Sequence, residues 1–341
     1  MAEFYIDNAA RAFRGDPDEG WQATAGFAPA GVDVASLNES ADWFDGVKNS
    51  RSLIVVRGGR LVYERYFHGS SPQQSNNVHS ASKSILQAVY GIALGRGHIP
   101  SYDVPIGHYL PAAIAAGGKK AGITIRHLLT MRSGLAWSED ETEYEIEGED
   151  DWIEAILDQP LAATPGTRFH YSTGDTHLLS AVLQAATGAT LERYATDYLF
   201  TPLGIGHQAW GCDPQGIASG GCNVFLPARA LARFGELYLR NGVWNGWQVV
   251  PPEAIAFSRT YSGHKEKDPR YQYGALWWLS TVQGHAVQFA WGWGGQYVAV
   301  IPSLDLVFSS TQDTTGKPKK VEERELDILA FLDEDILPAV S

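Results

Sequence analysis

The chain has 341 residues, 44% of them hydrophobic and 19% charged, with a formal net charge of −13. That is material for one large domain or two closely packed ones. The negative balance argues against a nucleic-acid partner, which needs a basic face, and against anionic membranes.

Residues 1–30, interrupted by Asp16-Pro17 and Pro29, read as an irregular arm. Met1–Gly20 lacks the apolar core of a secretory signal, so a cytoplasmic location is expected. No uncharged apolar run reaches membrane-spanning length. Leu37, Ala41, Phe44 and Val47 predict a helix over Val34–Lys48. Ser52–Val56 and Arg60–Phe67 predict a hairpin turning at Gly58-Gly59. After a polar loop over Ser70–Asn77, Ser80–Gly95 reads as a helix with Ala81, Ile85, Ala88, Val89 and Ile92 on one face. Further helical pieces fall at Ile125–Met131, Trp152–Leu157, Asp175–Ala186, Leu191–Leu199 and Pro227–Asn241. Beyond Trp247 the period changes to two. Tyr273–Ser280, His285–Trp291, Gly295–Ile301 and Asp305–Thr311 predict four antiparallel strands, and Glu323–Leu337 a closing amphipathic helix.

Strands at both ends with helices between predict an α+β fold. An antiparallel sheet flanked by helices comes from residues 1–75 and 240–341, and residues 76–239 form a mainly helical domain. The cleft between them is the default site.

Ser80-Ala81-Ser82-Lys83 is a Ser-x-x-Lys sequence. On a helix, positions three apart share a face. Burial and the positive end of a helix dipole favour the uncharged form of a lysine so placed, which can then accept the serine proton. Free N–H groups of the first turn can stabilise an oxyanion. The bland role for Ser80 is a helix N-cap. A second match, Ser262-Gly263-His264-Lys265, lies beside Lys267, Asp268 and Pro269 with no apolar helix after it, and reads as solvated surface. Tyr171, after the Pro165-Gly166-Thr167 turn, could relay a proton to a leaving group; alone, such a tyrosine is more often a packing residue. The glycines of Ala290-Trp291-Gly292-Trp293-Gly294-Gly295-Gln296 let backbone approach a ligand closely, or simply make a tight hairpin with packed tryptophans.

Glu139–Asp151 holds nine carboxylates. It reads as a solvated loop, or as a cleft border favouring cationic substrates; its spacing does not fit an EF-hand. The two cysteines, Cys212 and Cys222, make no disulfide scaffold and no Cys-x-x-Cys pair. Histidines show neither His-x-x-x-His nor His-Glu-x-x-His spacing, so no metal or other cofactor is expected. His79 neighbours Ser80, but adjacent side chains on a helix do not face each other. No Gly-x-Ser-x-Gly elbow and no phosphate loop occur.

Taken together, these segments resemble the serine β-lactamase and penicillin-binding-protein superfamily. The resemblance is carried by Val78–Ser84, Leu128-Leu129-Thr130-Met131-Arg132-Ser133-Gly134-Leu135, Pro165-Gly166-Thr167 to Tyr171-Ser172, Pro202-Leu203-Gly204-Ile205 and Trp293-Gly294-Gly295-Gln296. It runs from about Ser52 to the C-terminus, nearest the class C-like branch with its esterases and 6-aminohexanoate-dimer hydrolases. It implies a β-lactamase/transpeptidase-like fold with Ser80 as nucleophile, Lys83 as its proton partner and Tyr171 as a second acid/base. The backbone N–H groups of Ser80 and Trp293, on an edge strand, would make the oxyanion hole. Where lactamases and transpeptidases carry Lys-Thr-Gly, this chain has Ala290-Trp291-Gly292, and Thr173 stands in the Asn or Ser position of Tyr-x-Asn. The bare Gly-Trp-Gly-Gly-Gln resembles the esterase and nylon-oligomer hydrolase members.

The expectation is a serine hydrolase cleaving small esters or short amides through a Ser80 acyl-enzyme, as a monomer or homodimer, with Tyr144, Trp291, Gly292 and Gly294 against the substrate. A β-lactamase or D-Ala-D-Ala peptidase is the first rival, and a non-catalytic binding protein on the same fold the second.

Overall fold

The computed structural model describes residues 31–206 and 209–340; the arm expected over residues 1–30 lies outside them. Val34–Asp45 is helical, capped by the Asp33 carboxylate. β1 (Ser50–Arg57) and β2 (Arg60–Tyr66) form the expected hairpin. Gly58 and Gly59 sit at φ +60° and +71°, the turn geometry whose twist matches that of the strands. Three short strands, β3 (Ser75–Asn77), β4 (Ala209–Trp210) and β5 (Val224–Pro227), form a small sheet in the order β3-β5-β4. β6 (Val243–Trp244) and β7 (Trp247–Gln248) pair alone.

The main sheet is completed by β8 (Gly263–Lys265), β9 (Asp268–Tyr273), β10 (Trp278–Val282), β11 (His285–Gly292), β12 (Gln296–Ile301) and β13 (Leu306–Gln312). Its order is β2-β1-β13-β12-β11-β10-β9-β8, with antiparallel neighbours throughout. The two faces feed different cores, as a period of two requires. On β12, Val298 and Val300 face a core shared with the Ser82–Gly95 and Ala228–Leu239 helices. Tyr297, Ala299 and Ile301 face a second core, closed by the Val34–Asp45 helix and the C-terminal turns. No helix among the described residues is long and apolar enough to cross a membrane.

Five expectations need correction. The strand expected over Tyr273–Ser280 is two strands around a corner. Gly274 lies so close to Ser258 that a Cβ would stand 2.1 Å from its carbonyl oxygen, and Leu276 takes φ +56°. The corner drops Trp277 into the helical core, against Tyr238 and Phe234. The second Ser-x-x-Lys match is exposed at His264 and Lys265, as expected of solvated surface, but it is strand rather than loop. Gly263–Lys265 is edge strand β8, and buried Ser262 donates to the Gly274 carbonyl at 2.9 Å. The closing helix starts at Ile328 rather than Glu323, with Asp327 accepting from the N–H groups of Leu329 and Ala330. β11 is interior rather than an edge strand; only its last residues, beyond the Trp278–Phe289 pair, run past β10. The acidic stretch contains a short helix, Thr142–Ile146, and its side chains are not all solvated.

Candidate active site

Ser80 is held by the chain on either side of it. Before it, β3 pairs with β5, and Val78 N–H donates to the Val224 carbonyl at 2.8 Å. His79 then takes φ +45°, sparsely populated for a residue with a side chain. The Asn77 side chain supports that kink by accepting from His79 N–H at 2.9 Å. Ser80 follows in a single 3-10 turn, His79–Ala81, ahead of the helix proper at Ser82. It is therefore not the helix N-cap, which is Ala81 with no side-chain cap bond. The His79 ring points elsewhere, with Nε2 at 2.9 Å from Thr314 Oγ1 and its edge against Trp293. Burial, then the nearby Lys83 charge, lowers its pKa to about 4.

Lys83 is 1% exposed. Its Nζ lies 3.1 Å from Ser80 Oγ, 2.8 Å from Thr173 Oγ1 and 3.0 Å from the Gly221 carbonyl oxygen. It also stands 4.8 Å from the Tyr171 ring centroid. A buried amine with this set of partners can exchange a proton with the serine hydroxyl.

Tyr171 is seated by the Leu128–Leu135 stretch. Met131, at φ +55°, accepts from the neighbouring His170 N–H at 2.8 Å, and Gly166 N–H donates to the Arg132 carbonyl at 2.8 Å. Burial, then the charge of Glu139, holds the pKa of the phenol well above the usual tyrosine value, and its interaction with the Ser80 side chain works in the opposite sense. Tyr273 and Trp278 pack against the ring at 5.6 and 5.8 Å.

Gly292 ends β11 directly against the turn before Ser80, where a Cβ would meet the Val78 carbonyl oxygen at 2.0 Å. The next residues, Trp293, Gly294 and Gly295, turn the chain into β12, with both glycines at positive φ. Neither Ser80 N–H nor Trp293 N–H donates to another described residue. Glu325, on the segment that fails to become helix, grips this turn. It accepts from Gly294 N–H at 3.1 Å, from Tyr297 Oη at 3.1 Å and from Trp291 Nε1.

The wall residues fare differently. Tyr144 is 70% exposed on its short helix and makes no described contact with Ser80, Lys83 or Tyr171. Trp291 packs with the second core, 5.4 Å from Trp278, which separates it from Tyr171; Lys265 Nζ stands 4.5 Å from its ring centroid. Tyr171 is the aromatic beside Lys83, and Tyr273 and Trp278 pack against Tyr171. Gly294 lies in the Glu325-held turn.

Three participants have no motif to mark them. Thr173 is singled out in the sequence only as a departure from Tyr-x-Asn. Gly221 approaches so closely that a Cβ would lie 3.1 Å from Lys83 Nζ; the Gly220-Gly221 pair is the signal, since adjacent glycines mark close backbone approach. Glu139, at the head of the acidic stretch, accepts from Thr173 N–H at 2.7 Å, Thr173 Oγ1 at 2.6 Å and Trp137 Nε1. Behind it Glu143 rises to about 8, through burial and then the Glu139 charge. Among the described residues no group of three His, Cys, Asp or Glu side chains is placed to hold a metal ion.

Residues 38–331 match the Beta-lactamase family. The 6-aminohexanoate-dimer hydrolase of Paenarthrobacter ureafaciens is 26% identical over 255 residues, 67% of this chain and 64% of that protein, so the chain spans just under two thirds of that relative. Esterase EstB of Burkholderia gladioli is 28% identical over 204 residues, 51% of this chain and 52% of EstB. The structure of a proposed 6-aminohexanoate-dimer hydrolase from Bacillus anthracis superposes with a TM-score of 0.72 at 19% identity, covering 83% of this chain and 78% of that one, a likeness of fold. With most of its length matched by one family, the chain belongs to the Beta-lactamase family.

Proposed function

We propose that this chain is a serine hydrolase that cleaves small esters or short amides through an acyl-enzyme on Ser80. The carrying observation is the buried Lys83 amine 3.1 Å from Ser80 Oγ, with the Tyr171 ring centroid 4.8 Å from the same amine. Ser80 Oγ attacks the carbonyl carbon and its proton passes to the Lys83–Tyr171 pair. The oxyanion is met by the N–H groups of Ser80 and Trp293, which have no other described partner. The carbon–oxygen or carbon–nitrogen bond breaks as the pair returns the proton to the leaving group, and water then releases the acid. The family and the names of the relatives support hydrolysis. Ala290, buried where lactamases and transpeptidases carry a cation, favours substrates that need no carboxylate anchor there.

Intact mass taken seconds after mixing with p-nitrophenyl butyrate is expected to show one butyryl adduct. Ser80→Ala should show neither adduct nor turnover. Turnover that persists in Ser80→Ala would overturn the assignment.

A further inference from the structure

The polarity of the hydrogen bonds around Lys83 is fixed by a residue that does not touch it. The Thr173 hydroxyl has one proton, and that proton goes to Glu139 Oε2 at 2.6 Å. Toward Lys83, Thr173 Oγ1 can present only a lone pair, at 2.8 Å. The Gly221 carbonyl, at 3.0 Å, is also only an acceptor. Both N–H bonds of an uncharged Lys83 amine are therefore committed, and its lone pair is left facing Ser80 Oγ at 3.1 Å. Once protonated, the same amine has a donor in that direction, as the return of the proton requires.

We propose that Glu139 is a positioning residue that acts through Thr173 to aim the Lys83 lone pair at Ser80. Its two oxygens are both occupied in a way an amide cannot copy. Oε1 accepts from Thr173 N–H and Trp137 Nε1, and Oε2 accepts from the Thr173 hydroxyl. A glutamine keeps both N–H donors satisfied only by putting its oxygen at the Oε1 place. Its NH2 then donates to Thr173 Oγ1, and the freed hydroxyl turns its proton on the Lys83 lone pair. Glu139→Gln thus reverses the relay without changing its shape.

The proposal rests on Ser80 being the nucleophile, and its test separates the two. The probe is an alkyl fluorophosphonate: a bond forms from Ser80 Oγ to phosphorus, fluoride leaves, and the serine proton goes to Lys83. Labelling is followed by intact mass in parent, Ser80→Ala, Glu139→Gln, Thr173→Val, Thr173→Ser and the Glu139→Gln/Thr173→Val double variant. Labelling of Glu139→Gln and Thr173→Val is expected to slow roughly 100-fold, the scale of a misplaced general base. Thr173→Ser should recover most of what Thr173→Val loses. The double variant should be no slower than Thr173→Val alone, because both changes cut one path. Glu139→Gln labelling at the parent rate, or additive losses in the double variant, would overturn the positioning role while Ser80 stands. Parent protein that takes no label, or Ser80→Ala that takes it equally, would overturn the nucleophile and this proposal with it. If Glu139→Gln does not fold by circular dichroism, Thr173→Val against Thr173→Ser decides: equal rates overturn the relay, and a slow Thr173→Val rescued by serine supports it.

Discussion

At the scale of single residues, the candidate site depends on how little room surrounds Lys83. A Cβ on Gly221 would lie 2.5 Å from Thr176 Oγ1, 2.7 Å from Thr173 Cγ2 and 3.1 Å from Lys83 Nζ. Gly221→Ala must push the threonines, the amine or its own backbone aside. Overpacking of this kind costs about 1–3 kcal/mol, and here the displaced groups include the proposed base. The expected result is a lowered melting temperature together with slower acylation by p-nitrophenyl butyrate. A variant that keeps the parent acylation rate would mean that the amine has slack the geometry does not show. The nearness of Ser80 and Lys83 is legible in the sequence because a helical turn brings such positions together whatever the tertiary fold. The rest of the amine's shell is not. Gly221 and Thr173 reach it across 138 and 90 residues of chain, and no local pattern encodes such contacts. Glu139 is hidden for a further reason: it stands first in a run of acidic residues whose composition argues for solvent.

At the scale of elements, period and turn chemistry read correctly where local preference and tertiary packing agree. The β1–β2 hairpin is one example; its two glycines supply the positive φ that the turn needs. They misread where a long-range contact overrides the local pattern. Tyr273–Ser280 has the alternation of a strand but breaks so that Trp277 can enter the helical core. Glu323–Leu337 has the spacing of a helix, but Glu325 is taken by the Trp293–Gly295 turn. That capture yields a test. Glu325→Ala leaves Gly294 N–H and Trp291 Nε1 without their shared acceptor, while Tyr297 Oη keeps the Leu326 carbonyl at 3.0 Å. Removing a half-buried acceptor from such donors costs about 1–3 kcal/mol. If the Trp293 N–H is part of an oxyanion hole, the looser turn should also lower kcat for the ester while KM changes little. Differential scanning calorimetry and steady-state kinetics read the two effects separately. A destabilised variant with unchanged kcat would detach Glu325 from catalysis.

At the scale of the whole molecule, the buried titrating groups set a pH window. Burial raises Asp175 from 3.8 to about 7 and Glu147 from 4.5 to about 7, and burial with Glu139 raises Glu143 to about 8. For these carboxyls the folded state holds protons that the unfolded chain has released. Their contribution is therefore complete below about pH 4, and is lost as pH rises from there, where the unfolded carboxyls ionise, to about 7 to 8, where the folded ones do. His79 works in the opposite sense. Its pKa falls from 6.5 to about 4 on folding, so the unfolded chain takes up the proton first and stability is lost as pH drops through that interval. The net charge of −13 adds repulsion on the alkaline side as more carboxylates ionise. From about pH 4.5 to 6.5 the three carboxyls outweigh the one histidine, so the melting temperature is expected to fall as pH rises from about 4.5 and to level off near pH 8, where the loss is complete. Asp175 is 1% exposed, and its Oδ1 has no hydrogen-bond partner among the described residues. Asp175→Asn, which cannot ionise, should flatten the fall between about pH 4.5 and 7, and His79→Gln should steepen it below about pH 6.5. Melting curves by circular dichroism from pH 4.5 to 8.5 test both. A parent curve that climbs between about pH 5 and 8, or an Asp175→Asn curve as steep as the parent's, would show that these buried carboxyls do not set the pH dependence.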